Sequence, residues 1–316
     1  MRESTAVASD LAAPAAGWTA TLREHARLNR PAALGLGIGL LGIVALLIQS
    51  VVQLASGGGA QGLRPAMVGG LVAFAATALG ALPALVLRRL PQRVEDSLLG
   101  AAAGMMLAAS AFSLLLPGLE AGAEIAGNRA LGAGVVVLGM ALGVLLMLGL
   151  DRFTPHEHDK SGPCGPGHQR CGRIWLFVFA IALHNLPEGM AIGVAFSQGD
   201  MAVGLPLTTA IALQDVPEGL AVALALRGAG FAPAFSVAVA AASGALEPAG
   251  ALLGVGLASG LAAAYPAGLG LAAGAMIFVV SHEVIPETHR NGHQTFATLG
   301  LMIGFALMMV LDTTLD

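Results

Sequence analysis

Charged residues are scarce in this chain. Only 11% of its 316 residues are Asp, Glu, Lys or Arg, whereas 56% are hydrophobic and the mean hydropathy is +0.80. Soluble domains carry roughly 25% charged residues, so the chain lacks the polar surface that a soluble protein of this length needs. Lipid tolerates apolar side chains all around a helix, and glycine, which occurs 44 times, lets membrane helices approach closely. The composition therefore predicts a polytopic membrane protein.

Three further features are missing or rare. No run of basic residues with interleaved aromatic residues is present, which argues against nucleic-acid binding. The first long apolar run begins near Ala33, which is too far along the chain for a cleavable signal peptide. The only cysteines, Cys164 and Cys171, share one polar loop. The topology below places this loop in the cytosol, where a disulfide is not expected.

Long apolar stretches divide the chain into nine candidate membrane spans. A span needs about 20 mostly apolar residues, and glycine-rich or charged stretches separate most of them. The predicted spans are 34–55, 66–88, 97–117, 129–150, 174–197, 201–226, 232–262, 266–286 and 294–312. The boundary between the spans 232–262 and 266–286 depends mainly on Pro266, and Pro248 offers a kink within 232–262. We therefore expect an all-α bundle of nine transmembrane helices.

Lysine and arginine indicate the orientation of these spans. With the N-terminus in the cytoplasm, all but two of the 15 basic residues, Arg64 and Arg129, fall on the cytoplasmic side. Residues 1–33 then form a cytoplasmic tail, 34–55 an extra N-terminal helix and 66–316 an eight-helix domain, and the C-terminus lies outside. The polar stretch 151–173 is predicted to be a flexible cytoplasmic loop. Its side chains that could bind metal are His156, His158, Cys164, His168 and Cys171.

Two related hexads place ionisable side chains in the middle of apolar spans. The fifth span contains HNLPEG at 184–189, and the sixth contains QDVPEG at 214–219. Ionisable groups at this depth are costly and usually mark an ion or substrate path. Residues three or four apart share a helix face, so the polar pair and the glutamate of each hexad point the same way. Each proline leaves a carbonyl without its usual donor. The pattern predicts a midplane ion site of the kind transporters use.

The residue types in the hexads predict a divalent metal. Facing each other, the hexads offer one imidazole, two amides and three carboxylates, and Glu247 in the seventh span adds a fourth carboxylate. Buried charges are costly unless they are neutralised, and two divalent cations would balance four carboxylates. Imidazole nitrogen and carboxylate oxygen suit Zn²⁺ and also Fe²⁺, Mn²⁺ or Cd²⁺. Met105 or Met106 could present a thioether, and His282 with Glu283 could form an exit relay.

Two other functions are compatible with part of this pattern. An intramembrane metalloprotease needs His-Glu-x-x-His, but no second histidine follows His184 one turn later, so no enzyme is expected. A monovalent-cation/proton antiporter also uses buried carboxylates, although it has little use for His184 or for the histidines and cysteines of the loop. Stabilisation by divalent metals but not by sodium would separate the carrier from the antiporter.

The hexad pair, with a His- and Cys-bearing loop just upstream, resembles the ZIP (Zrt-/Irt-like protein) family of metal transporters, most closely its bacterial members. The resemblance implies eight spans over 66–316, arranged as three, two and three with an inverted repeat, preceded here by an extra helix. It implies a two-metal centre, zinc flow into the cytoplasm across the cell inner membrane, and a homodimer. The implied metal ligands are His184, Asn185, Glu188, Gln214, Asp215, Glu218, Glu247 and, from the third span, Met106. Many members carry His where Gln214 stands, so a broader metal range that includes cadmium is expected.

Overall fold

The computed structural model describes residues 62–153, 156–158, 162–164, 173–258 and 262–315, with helical positions scattered between 26 and 52. Eight helices in these ranges are long and apolar enough to cross a membrane. They are α1 (Leu63–Ala81, extended by a 3₁₀ turn over Leu82–Leu85), α2 (Gln92–Ala126), α3 (Arg129–Phe153), α4 (Arg173–Phe196), α5 (Met201–Gly228), α6 in two segments (α6a, Pro233–Ser243, and α6b, Leu246–Ala258), α7 (Ala264–His289) and α8 (Gln294–Leu315). The predicted all-α membrane bundle is confirmed.

The extra N-terminal span, 34–55, lies mostly outside the described residues. Of the positions that are described there, Leu41 and Ile48 are helical and exposed. The ninth span and the division of the chain into 1–33, 34–55 and 66–316 therefore stay predictions.

Glycines bring the helices together in pairs. Helix α2 packs along α8, α3 along α7, α4 along α6b and α1 along α5. In the first three pairs each helix contributes two glycines four residues apart, and a Cβ at any of them would collide with the partner's backbone. Such small residues allow the backbone approach that drives helix association in lipid. The glycines are 100 and 104 with 300 and 304, 139 and 143 with 270 and 274, and 189 and 193 with 250 and 254.

The helix pairs formed by α1 and α2 correspond to those formed by α6b and α7. The pairs α1–α5 and α6b–α4 correspond to each other, as do α2–α8 and α7–α3. These are the contacts that an inverted repeat of α1–α3 and α6–α8 around α4 and α5 generates. Helices α2 and α7 also share a π-helical segment, at Ser110–Leu115 and Val280–Val284. Because π-helical segments are rare, their occurrence in both corresponding helices agrees with the repeat that the family resemblance implies.

The helix break in α6 precedes the proline that was expected to cause it. Segment α6a ends at Ser243 and α6b begins at Leu246, so the interruption lies at Gly244 and Ala245. Pro248 instead lies in the first turn of α6b, where a missing N–H needs no helical partner. A proline disrupts the helix at the carbonyl four residues before it, here that of Gly244, so the predicted kink within 232–262 is confirmed. The break places Glu247 in the first turn of α6b.

The polar loop is not uniformly irregular. His156–His158 and Gly162–Cys164 form an antiparallel hairpin, β1–β2, in which His156 lies opposite Cys164. The prediction of a flexible loop over 151–173 was wrong for 151–153 and 173, which belong to α3 and α4, and for the six residues of the hairpin. Strand pairing satisfies their backbone N–H and C=O groups, and a three-residue strand is too short to produce a period in the side chains.

Candidate metal site

The two hexads lie inside the bundle, and their helices continue through both prolines. Helix α4 includes Pro187 and α5 includes Pro217 without interruption. The side chains predicted to bind metal in α4, α5 and α6b are all at most 3% exposed. Those seven residues are His184, Asn185, Glu188, Gln214, Asp215, Glu218 and Glu247. The polar residues of each hexad, which are three or four positions apart, are therefore all buried on one face of their helix, as the spacing predicted.

Three carboxylates from three different helices converge. Glu188 of α4, Asp215 of α5 and Glu247 of α6b each present an oxygen, and these oxygens lie within 4.8 Å of one another. Nε2 of Gln214 donates a hydrogen bond to Oε1 of Glu188 at 2.5 Å. This bond joins the two hexads directly. The helix faces that the spacing predicted are thus brought together by the fold.

The seven buried residues named above form a cluster, and many of its polar atoms have no hydrogen-bond partner in the part of the chain that the structure describes. Buried polar groups in proteins are nearly always hydrogen-bonded, so a concentration of unpaired atoms indicates a ligand site. The unpaired atoms are both ring nitrogens of His184, Nδ2 of Asn185, Oε2 of Glu188, Oε1 of Gln214, both oxygens of Asp215, both oxygens of Glu218 and Oε2 of Glu247. The imidazole nitrogens and the carboxylate and amide oxygens among them are ligand atoms of the kinds that zinc, iron and manganese bind.

Acidic side chains dominate the charge of this cluster. Among the buried polar residues that the structure describes, none is Lys or Arg. Four carboxyl groups, of Glu188, Asp215, Glu218 and Glu247, therefore lie in the bundle with no buried Lys or Arg beside them in the described ranges. Neighbouring buried carboxylates cannot all be ionised unless cations neutralise them. The site is suited to cations of high charge.

The remaining member of the predicted set, Met106, lies on a different helix. It is in α2, fully buried, and belongs to the apolar core that also contains Ile211 and Met276. Met105 is buried in the same core. A role for either thioether in metal binding stays a prediction.

A second group of ligand-type side chains lies near the C-terminal end of α3. His282 and Glu283, in the π-helical segment of α7, meet Asp151 of α3, with one ligand atom of each within 4.8 Å of the others. Asp151 was missed because it stands at the start of the polar stretch, where an acidic residue is ordinary. Asp151 is thus a candidate third member of the exit relay, which stays a prediction.

The loop residues predicted to bind metal are covered only in part. His156, His158 and Cys164 lie on the hairpin, of which the backbone alone is described, and His168 and Cys171 lie outside the described residues. Their binding of metal stays a prediction.

Thr77 of α1 was also missed. Its Oγ1 donates a hydrogen bond to Oε1 of Glu247 at 2.7 Å, although 170 residues separate the two in sequence. A single threonine in an apolar helix commonly bonds to the carbonyl four residues earlier. No sequence signal therefore distinguished Thr77 from an ordinary core residue.

Comparison with known proteins decides the family. A family model described as ZIP zinc transporter matches residues 154–312. The chain is also 59% identical over 315 residues to the zinc transporter ZIPB of Bordetella bronchiseptica, with 100% of each chain covered. The chain belongs to the ZIP zinc transporter family. The predicted resemblance is confirmed, and membership of a transporter family excludes the metalloprotease.

Other zinc transporters match about three quarters of the chain. The zinc transporter GufA of Myxococcus xanthus is 41% identical over 249 residues, which are 79% of this chain and 98% of the relative. The zinc transporter ZupT of Stenotrophomonas maltophilia is 34% identical over 250 residues, which are 76% of this chain and 91% of the relative.

Proposed function

We propose that this ZIP protein transports divalent metal ions, foremost Zn²⁺, across the membrane through a midplane site that binds two cations. The observation that carries the proposal is the buried cluster of unpaired carboxylate, imidazole and amide atoms between α4, α5 and α6b. Two divalent cations balance the four carboxylates of this cluster, whereas two monovalent cations leave half of that charge buried. The names of the relatives, all zinc transporters, support zinc as the cargo.

The packing of the bundle supports an alternating-access mechanism. Helices α1, α4, α5 and α6 pack mainly on one another, and so do α2, α3, α7 and α8. The seven residues of the cluster belong to the first group, and Met106 and the Asp151–His282–Glu283 group belong to the second. Movement of one group against the other exposes the cations to each side in turn. The cation exchanges its water for the cluster's donors and leaves past Asp151, His282 and Glu283.

The proposal also covers the location of the protein, its oligomeric state and the direction of transport. We assign the protein to the cell inner membrane as a homodimer, with the N-terminus in the cytoplasm, the C-terminus outside and metal flow into the cytoplasm. The distribution of basic residues supports this orientation, and the family resemblance supports the dimer. Light scattering of the detergent-solubilised protein tests the dimer, and proteolysis of the tail in sealed vesicles tests the orientation.

Divalent metal should stabilise the purified protein, and sodium should not. Zinc at a hundred times its dissociation constant adds about 2.7 kcal/mol to the free energy of unfolding, which raises the Tm by several degrees. A Glu188→Ala, Glu218→Ala double variant serves as the matched control and should show no zinc-dependent rise. Stabilisation by sodium and not by zinc would instead support the monovalent-cation/proton antiporter.

Cadmium should compete with zinc for uptake, and Gln214→His should reduce that competition. The amide of Gln214 is a weaker ligand than imidazole and donates to Glu188. A histidine there adds a nitrogen donor and releases Glu188, so the preference for zinc should rise roughly tenfold, equivalent to ~1.4 kcal/mol. Competition uptake into proteoliposomes measures the ratio. Gln294→His, at an exposed position that begins α8, is the control, and an unchanged ratio in Gln214→His would contradict the assignment.

A further inference from the structure

Thr77 is in direct contact with the candidate metal site through Glu247. Its hydroxyl lies 2.7 Å from Oε1 of Glu247 and 3.3 Å from the carbonyl oxygen of Ala73 in its own helix. A hydroxyl has one proton to donate, and the shorter contact to a carboxylate, the stronger acceptor, takes it. Oε2 of Glu247 has no partner among the described residues. Thr77 therefore occupies one oxygen of Glu247 and leaves the other open.

Backbone packing holds Thr77 and Glu247 in place independently of their side chains. A Cβ on Gly219, the last residue of the second hexad, would collide with the carbonyl oxygen of Thr77. A Cβ on Gly189, the last residue of the first hexad, would collide with the carbonyl oxygen of Glu247 in the same way. The two hexads thus contact α1 and α6b at corresponding points. Thr77 is the counterpart of Glu247 in the other half of the repeat.

Gly244, in the helix break of α6, leaves room for this contact. A Cβ at Gly244 would lie 3.0 Å from Cβ of Thr77 and 3.1 Å from both Oγ1 of Thr77 and Oε1 of Glu247. Such distances are tighter than ordinary van der Waals contact. The break therefore does more than end α6a, because its glycine accommodates the hydrogen bond.

We propose that Thr77 is a positioning residue for transport: its hydroxyl holds Oε1 of Glu247, so that Glu247 offers the single oxygen Oε2 to a divalent cation. The inference rests on the proposed function and adds a member from α1 to the site. Without the hydroxyl, Oε1 loses its donor and the carboxylate is free to rotate or to chelate with both oxygens. The cation then binds a carboxylate that is no longer oriented in advance, and its affinity falls.

The test compares Thr77→Val, which replaces the hydroxyl by a methyl group, with Thr77→Ser, which keeps the hydroxyl. In zinc uptake by proteoliposomes, Thr77→Val should raise the KM about tenfold, as expected for the loss of one hydrogen bond to a charged group, with a smaller change in the maximal rate. Thr77→Ser should restore the wild-type KM. Thr208→Val is the matched control, because Thr208 is also buried but its hydroxyl has no partner in the described chain. Its KM should equal that of the wild type.

A second readout does not depend on transport. The zinc concentration that gives half-maximal thermal stabilisation should rise about tenfold in Thr77→Val. In a Glu247→Gln background the same substitution should cause no further rise, because the oriented carboxylate is already gone. A wild-type KM in Thr77→Val, or equal changes in the Val and Ser variants, would overturn the inference while leaving the proposed function intact.

Folding failure is also decisive. If Thr77→Val and Thr77→Ala do not fold while Thr77→Ser does, the hydroxyl is structural and the inference is wrong. Absence of zinc uptake by the wild type in the same liposomes would count against the proposed function itself.

Discussion

Glu188→Ala should reduce zinc uptake at least about a hundredfold, and Glu218→Ala should do the same. Glu188 lies beside Asp215 and Glu247 and accepts the hydrogen bond that joins the hexads. With one carboxylate removed, two divalent cations leave an uncompensated buried charge, and breaking such a pairing costs about 3–5 kcal/mol. The first cation then binds weakly or the second does not bind at all. Initial rates of uptake into proteoliposomes with matched amounts of protein measure the loss.

The control for this prediction is a glutamate outside the site. Glu124 lies near the end of α2 with an exposed side chain, and Glu124→Ala should transport zinc at the wild-type rate. Both site variants should still insert into the membrane, because alanine removes a buried charge from an apolar helix. Uptake at the wild-type rate by either site variant would refute the assignment of the cluster as the transport site.

Gly189→Ala should destabilise the protein and impair uptake, although it adds only one methyl group. The new Cβ would collide with the carbonyl oxygen of Glu247, and a backbone atom cannot rotate away as a side chain can. Overpacking of this kind costs about 1–3 kcal/mol, more than the ~1 kcal/mol that alanine gains over glycine in a helix. The separation of α4 from α6b must increase, and Glu247 moves away from Glu188. The Tm and the initial rate of uptake should both fall.

The matched control is a glycine in open space. Gly149 lies in α3, and a Cβ there has no atom within 4 Å, so Gly149→Ala should leave the Tm unchanged or slightly raised. If Gly189→Ala and Gly149→Ala behaved alike, close backbone contact between α4 and α6b could not be what holds the site together.

Much of the site could be predicted from short stretches of sequence. Charged residues are rare enough that each hexad stands out against its apolar span, and helical spacing places His184 and Glu188 on one face. The residue types alone indicated metal chemistry. The reciprocal glycine pairs, for example at 189 and 193 and at 250 and 254, were not predicted, because sequence does not say which pair packs on which.

Several features could not be found in this way. Pro248 indicates a break in α6, but not that Gly244 in this break lies beside Thr77 and Glu247. Asp151 belongs with His282 and Glu283 only because α3 packs along α7. A local pattern contains no information on such a neighbour.

The amino-acid sequence by itself determined that the chain is a helical membrane protein and which face of α4 and of α5 carries the polar groups. Both follow from composition and from the period of a single helix. Only the tertiary structure decided which helices meet, and that a threonine of α1 reaches Glu247. The physical reason is distance along the chain: Thr77 and Glu247 are 170 residues apart, and their contact exists because glycines in α4 and α5 let four backbones approach one another.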